Sequence, residues 1–140
     1  MTLSLQACNI TVNDVDESLG FYRDALGFEV LNDVSNGEYR WLSLGTPGQP
    51  GPYYVLSVPH AGRSQAEGDA LQELLVKGSL PFLVFATDDL DALFEKVRAS
   101  GAEVLQEPID QGWGQRDCAF RDPSGNTVRI AQARTDWPAA

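Results

Sequence analysis

The sequence predicts an α+β fold of two tandem βαβββ modules, and three observations carry that expectation. First, the chain says nearly the same thing twice: VNDVDESLGFYRDALGFEVL runs from Val12 to Leu31 and TDDLDALFEKVRASGAEVL from Thr87 to Leu105. Asp14, Asp16, Arg23, Gly27, Glu29, Val30 and Leu31 therefore recur as Asp89, Asp91, Arg98, Gly101, Glu103, Val104 and Leu105. Second, an apolar strand precedes each repeat, and three short strand-like runs follow each of its helices. Third, the period is about half of the 140 residues. That is too long for a solenoid repeat and too short for two independent domains, so each copy is expected to bury its apolar face against the other.

The elements follow in order. Cys8 to Val12 reads as the first strand, and Asp14 with Glu17 three residues later forms a capping-box pattern that starts a helix. Val15, Leu19, Tyr22 and Leu26 give that helix one apolar stripe, and Gly27 ends it. Strands are expected at Phe28 to Leu31, Tyr39 to Leu44 and Tyr53 to Val58. In the second copy Phe82 to Thr87 is the strand, Asp89 the cap, Leu90, Leu93, Phe94 and Val97 the stripe, and Gly101 the stop. Glu103 to Gln106, Asp117 to Arg121 and Thr127 to Ala131 complete it. Between the copies, His60 to Asp69 is polar and Ala70 to Lys77 has the makings of a short helix ending at Gly78. The expected organisation is a single domain over 1–140: a first module at 1–59, a connecting arm at 60–79 and a second module at 80–135.

Composition narrows the function classes. With 43% hydrophobic residues the chain can bury a real core, and it has no apolar run of membrane-spanning length. Lacking a basic region followed by an apolar stretch at the N-terminus, it is expected in the cytoplasm. Cys8 and Cys118 have no CxxC partner and are expected as buried free thiols. A net charge of −10, spread over both halves, argues against nucleic acid, whose binding needs a basic stripe.

Three phrases carry a family resemblance: NITVNDVDESLGFYRDALGFEV, FLVFATDDLDALFEKVRASGAEVLQEP and WGQRDCAFRDPSGNTVRIAQ. Together they resemble the vicinal oxygen chelate superfamily of glyoxalase I, extradiol dioxygenases and bleomycin-resistance proteins. The most specific pieces are the phrase from Asp14 to Phe28 and the DPSGN turn at Asp122 to Asn126. The resemblance implies two βαβββ modules whose mixed sheets curl into an open cup holding a small molecule. Strand alternation puts Ala7, Asn9 and Thr11, and in the second copy Phe82, Val84 and Ala86, on the face away from the helix.

In the metal-dependent members resembled, a histidine stands seven residues before the helix-capping acid and a glutamate ends the phrase opened by the DPxG turn. The matching positions here are Ala7, Phe82 and Arg129, and Tyr53 to Val58, where the remaining ligand falls, contains no His, Asp or Glu. Methyl and phenyl groups have no lone pair, and a guanidinium stays protonated. No metal and no cofactor are therefore expected. Nor is a catalytic set visible: His60, the only histidine, sits beside Pro59 and reads as a solvent-side residue, and the paired aspartates read as helix caps.

Arg129 on a cup strand needs a partner, which is either an internal acid such as Asp117 or Glu38 or an anionic ligand. Trp41 and Trp113 offer stacking walls, though core packing accounts for such residues equally well, and Gln115 and Arg116 fall near the rim. The expected ligand site is Asn9, Thr11, Trp41, Phe82, Trp113 and Arg129, taking a small aromatic or amphipathic molecule. Two function classes stand: a metal-independent binding protein similar to bleomycin-resistance proteins, or an enzyme (a lyase or isomerase of the glyoxalase type, or dioxygenase-like) with a rebuilt or metal-free site. A homodimer is expected, since superfamily members of this size commonly close their cups at a shared interface.

Overall fold

A computed structural model describes residues 1–134, so the last residue of the expected second module lies outside the described residues. Strand β1 (Ala7–Thr11) leads into helix α1 (Val15–Leu19), which continues as a π-helical turn over Gly20–Ala25; β2 (Glu29–Asn36), β3 (Tyr39–Gly45) and β4 (Tyr53–Ser57) follow. Helix α2 (Gln65–Val76) crosses to β5 (Leu83–Thr87), α3 (Leu90–Ala99), β6 (Glu103–Asp110), β7 (Arg116–Arg121) and β8 (Thr127–Gln132). Each half forms a four-stranded mixed sheet, in the orders β1-β4-β3-β2 and β5-β8-β7-β6. The first strand of each half pairs parallel to the last, and the rest is antiparallel. The predicted α+β architecture is thus present.

The helix starts follow from the aspartates. Asp14 Oδ1 accepts the Glu17 backbone N–H at 3.0 Å and Asp89 Oδ1 that of Ala92 at 3.2 Å. Both helices stop at glycines in the left-handed region, Gly27 at φ 89° and Gly101 at φ 93°, where other residues are strained. The π turn departs from the expected regular helix. Leu26 N–H reaches back five residues to the Phe21 carbonyl at 2.9 Å, and the widened turn puts the consecutive Phe21 and Tyr22 both in the core.

Three boundaries differ from the sequence reading by more than one residue. β2 and β6 run to eight residues each, beyond the expected Phe28 to Leu31 and Glu103 to Gln106, because these outer strands are mostly exposed and carry polar residues that leave no apolar alternation to read. α2 begins at Gln65, five residues before Ala70, since Ser64 and Glu67 close a reciprocal capping box. Cys8 is only partly buried, while Cys118 is buried as expected.

A single core joins the halves. Ile10, Val12, Tyr22, Leu42, Leu44 and Leu56 pack with Phe94, Val97, Cys118, Phe120, Val128 and Ile130, and the rings of Phe28, Tyr54 and Phe85 meet at 5.1–5.3 Å. The DPSGN turn adds a polar staple. Asp122 Oδ1 accepts the backbone N–H groups of Ser124, Gly125 and Asn126, and its Oδ2 accepts the Tyr22 hydroxyl at 2.7 Å. The Asn126 side chain donates to the Thr11 carbonyl at 2.8 Å, tying β1 to the second sheet. Gly125 is required there, because a Cβ would stand 2.5 Å from the Leu75 carbonyl oxygen of α2.

Candidate functional site

The face of the second sheet away from the helices holds the chemistry. Val84 on β5 pairs with Arg129 on β8, which pairs with Ala119 on β7; two residues before Ala119 on the same face is Asp117. Asp117 is fully buried, and both its oxygens are occupied. Oδ1 accepts Gln106 Nε2 at 2.9 Å and Gln111 Nε2 at 2.8 Å, Oδ2 accepts Gln115 Nε2 at 3.2 Å, and Arg129 Nη1 lies 3.4 Å from Oδ1. Arg129 Nη1 also donates to Gln106 Oε1 at 3.1 Å, which completes a closed network. Burial pushes the Asp117 carboxyl up, but the three amides and the guanidinium together outweigh it and hold the group below the usual carboxylate range.

Apolar walls surround this network. The segment from Gln111 to Gln115 is a tight turn between β6 and β7, with Gln111 N–H donating to the Gln115 carbonyl. Both glutamines point inward to Asp117, and Trp113 at the tip is 67% exposed. Phe82, just before β5, is 62% exposed, and Val84 on β5 is 53% exposed. The resulting cavity, of about 560 Å³, is lined by Phe82, Val84, Trp113, Thr127, Arg129 and the Asp117–glutamine group. Exposed aromatic and apolar side chains around a satisfied polar floor are a combination that suits a small-molecule site.

Of the six residues expected from sequence, Phe82, Trp113 and Arg129 come together here. Asn9, Thr11 and Trp41 belong to the first sheet and do not line this cavity. Asn9 donates to Ser57 Oγ at 3.0 Å, and the Trp41 ring lies against the start of the arm, 3.8 Å from where a Gly62 Cβ would be. The internal partner of Arg129 is Asp117. Arg116 does not reach the rim: it binds Asp91 at 2.8 Å beside the start of α3. His60 Nε2 lies 2.8 Å from Asp69 Oδ1, packed over Gly68, and so fastens the arm rather than facing this cavity. Sequence reasoning passed over Gln106 and Gln111, although three glutamines around QGWGQ, at 106, 111 and 115, were the available signal.

A larger depression of about 670 Å³ lies elsewhere, between α1 and the 122–125 turn. Its charged floor is engaged internally: Arg121 with Glu103 and the Gly125 carbonyl, and Asp122 in the staple.

The metal positions of the resembled enzymes do not fit a metal. Ala7 and Phe82 have no donor atom, and Arg129 is a cation spoken for by Asp117. Among the described residues no group of three or more His, Cys, Asp or Glu side chains is placed to hold an ion. Likewise no helix among them is long and apolar enough to cross a membrane.

Comparison with known proteins agrees with this architecture. The uncharacterized protein YurT of Bacillus subtilis (strain 168) is 27% identical over 130 residues, covering 93% of this chain and 99% of its own. The lactoylglutathione lyase of Haemophilus influenzae is 28% identical over 130 residues, covering 90% of each. Among solved structures, UcmS2 is 31% identical with a TM-score of 0.84, covering 94% of this chain and 98% of that one. TnmS3, an antibiotic binding protein from Streptomyces sp. CB03234, is 27% identical with a TM-score of 0.74, covering 96% and 99%. Residues 4–130 match one family throughout, and the chain belongs to the Glyoxalase/Bleomycin resistance protein/Dioxygenase superfamily.

Proposed function

We propose that this protein binds a small aromatic or amphipathic molecule without a metal and without transforming it. The observation that carries the reading is the cavity on the second sheet, where Trp113, Phe82 and Val84 stand exposed around the Arg129–Asp117–glutamine floor. Stacking on Trp113 and Phe82 supplies affinity, and Arg129 supplies an orienting donor. Likeness to an antibiotic binding protein over nearly the whole chain supports a sequestering role. Likeness to lactoylglutathione lyases favours a lyase, but the donor-free metal positions weigh against the metal-dependent form of that chemistry.

The reading includes a homodimer, in which Asn9, Thr11 and Trp41 of the first sheet complete a cup closed by a second copy. Exposed Val34 and Ile109 on the outer strands support such pairing. The test of function is a thermal-shift screen of aromatic amphiphiles followed by side-chain NMR of the tryptophan indoles. A binder raises the melting temperature by mass action, and the Trp113 indole signal should move. Hits that leave Trp113 unmoved and perturb the 122–125 turn would overturn the placement.

A further inference from the structure

Resting on the reading of this cavity as a small-molecule site, we propose that Asp117 makes the site selective for uncharged ligands, specifically aromatic molecules that present a carbonyl or other neutral acceptor to Arg129. An arginine in an open apolar cavity ordinarily reads as an anion trap. Here its charge is already spent. Asp117 lies 3.4 Å away with a side chain 1% exposed, and three glutamine amides hold its carboxylate in place. Neither water nor ligand can take over its role, so the floor presents a neutral pair.

The consequences differ by ligand charge. An anion entering the cavity loses hydration and meets a guanidinium whose field is cancelled by a buried carboxylate, in a protein of net charge −10. A cation meets Arg129 first, because Asp117 is walled off beneath the amides. A neutral acceptor loses little hydration and still gains a charge-assisted hydrogen bond from the part of Arg129 that remains exposed, 30% of its side chain. The same aspartate positions the stacking wall, since Gln111 and Gln115 at the two ends of the Trp113 turn both bind it.

Three probes of one shape test this: 2-naphthamide, 2-naphthoate and 2-naphthylmethylammonium, titrated by calorimetry with the Trp113 indole signal as site reporter. For the unaltered protein the amide should bind about tenfold tighter than either ion. In Asp117→Asn the uncompensated Arg129 should draw the carboxylate, moving the naphthoate-to-naphthamide ratio about tenfold toward the anion. In Arg129→Met the carboxylate, still held by the glutamine amides but no longer neutralised by a cation, should shift preference toward the ammonium probe, and this variant keeps the test alive if Asp117→Asn does not fold. Equal binding of amide and carboxylate, or ratios unmoved in a folded variant, would overturn the charge selectivity while leaving the binding site standing. No binding of any probe to any of the three proteins would sink both readings.

Discussion

Replacing Arg129 with methionine keeps much of the side chain's length and removes its charge, so it takes away the ion pair to Asp117 and the hydrogen bond to Gln106 on the cavity floor. Removing one partner of a buried pair costs about 3–5 kcal/mol when the other charge is left alone. Asp117 is not left alone, because Gln106, Gln111 and Gln115 continue to donate to it. The lower figure of about 2–3 kcal/mol is therefore expected, allowing for these surviving hydrogen bonds. Unfolding a chain of 140 residues carries an entropy of about 0.3 kcal/mol/K, so the melting temperature should fall by about 7–10 °C at pH 7. The sign with pH follows from the Asp117 carboxyl, which is held below its ordinary value despite burial. Its contribution is complete above the unfolded value of about 3.9 and is lost as pH falls through the lower folded value. The gap between variant and parent should therefore narrow below about pH 3.9. Calorimetric melts from pH 7 to pH 3 read both effects. An unchanged melting temperature at pH 7 would show that the pair contributes nothing, and the network drawn around Asp117 would fall with it.

Tyr22→Phe should lower the melting temperature by about 5–8 °C, since it removes a buried hydroxyl that donates to the Asp122 carboxylate, a bond worth about 1.5–2.5 kcal/mol; an unchanged melt would mean that the staple between the halves carries no load. Burial pushes the Cys118 thiol up to about 11, so a thiol reagent at pH 8 should titrate the partly buried Cys8 readily and Cys118 only after denaturation, and rapid labelling of both would contradict the packing of β7. Elemental analysis of tag-free protein should find no stoichiometric divalent metal, and one zinc, nickel, iron or manganese per chain retained through mild chelation would end the metal-independent reading. Light scattering should give twice the 15.2 kDa chain mass across a micromolar dilution series, and a monomer throughout would refute the dimer.

What the sequence disclosed depended on whether the physics was local. Helix starts at Asp14 and Asp89 and stops at Gly27 and Gly101 were legible, since each rests on a side chain or φ angle within a few residues. The ends of β2 and β6 were not, because an outer strand is defined by hydrogen bonds to β3 and β7 and carries no buried stripe of its own. The π turn escaped for the same reason, being set by where Phe21 and Tyr22 must pack. At the candidate site, Arg129 announced itself as a charge that needs a partner, and Asp117 was one of two acids named for it. The glutamines did not announce themselves: an amide is unremarkable in sequence, and only the fold shows three of them aimed at one buried carboxylate.

The internal repeat also separates what packing demands from what a ligand demands. On the helix side the two halves still match in chemistry as well as position. Asp16 binds Arg40 at 2.8 Å and Asp91 binds Arg116 at 2.8 Å, each pair clasping a helix start to an inner strand of its sheet, and Leu42, Leu44 and Leu56 occupy the places of Cys118, Phe120 and Ile130. On the opposite face the same registers diverge. Asn9 pairs with Val55 where Val84 pairs with Arg129, and Trp41 stands where the second half has Asp117. Packing against a shared core constrains both copies alike, so the helix side stays alike; the open faces have no such common constraint and have become two unlike surfaces, one carrying Trp41 and an Asn9–Ser57 pair, the other a neutralised arginine beneath Trp113. The stacking end and the accepting end of the proposed ligand would both be met on the second face alone, by Trp113 and Arg129, which is where the departure from the repeat is greatest in charge.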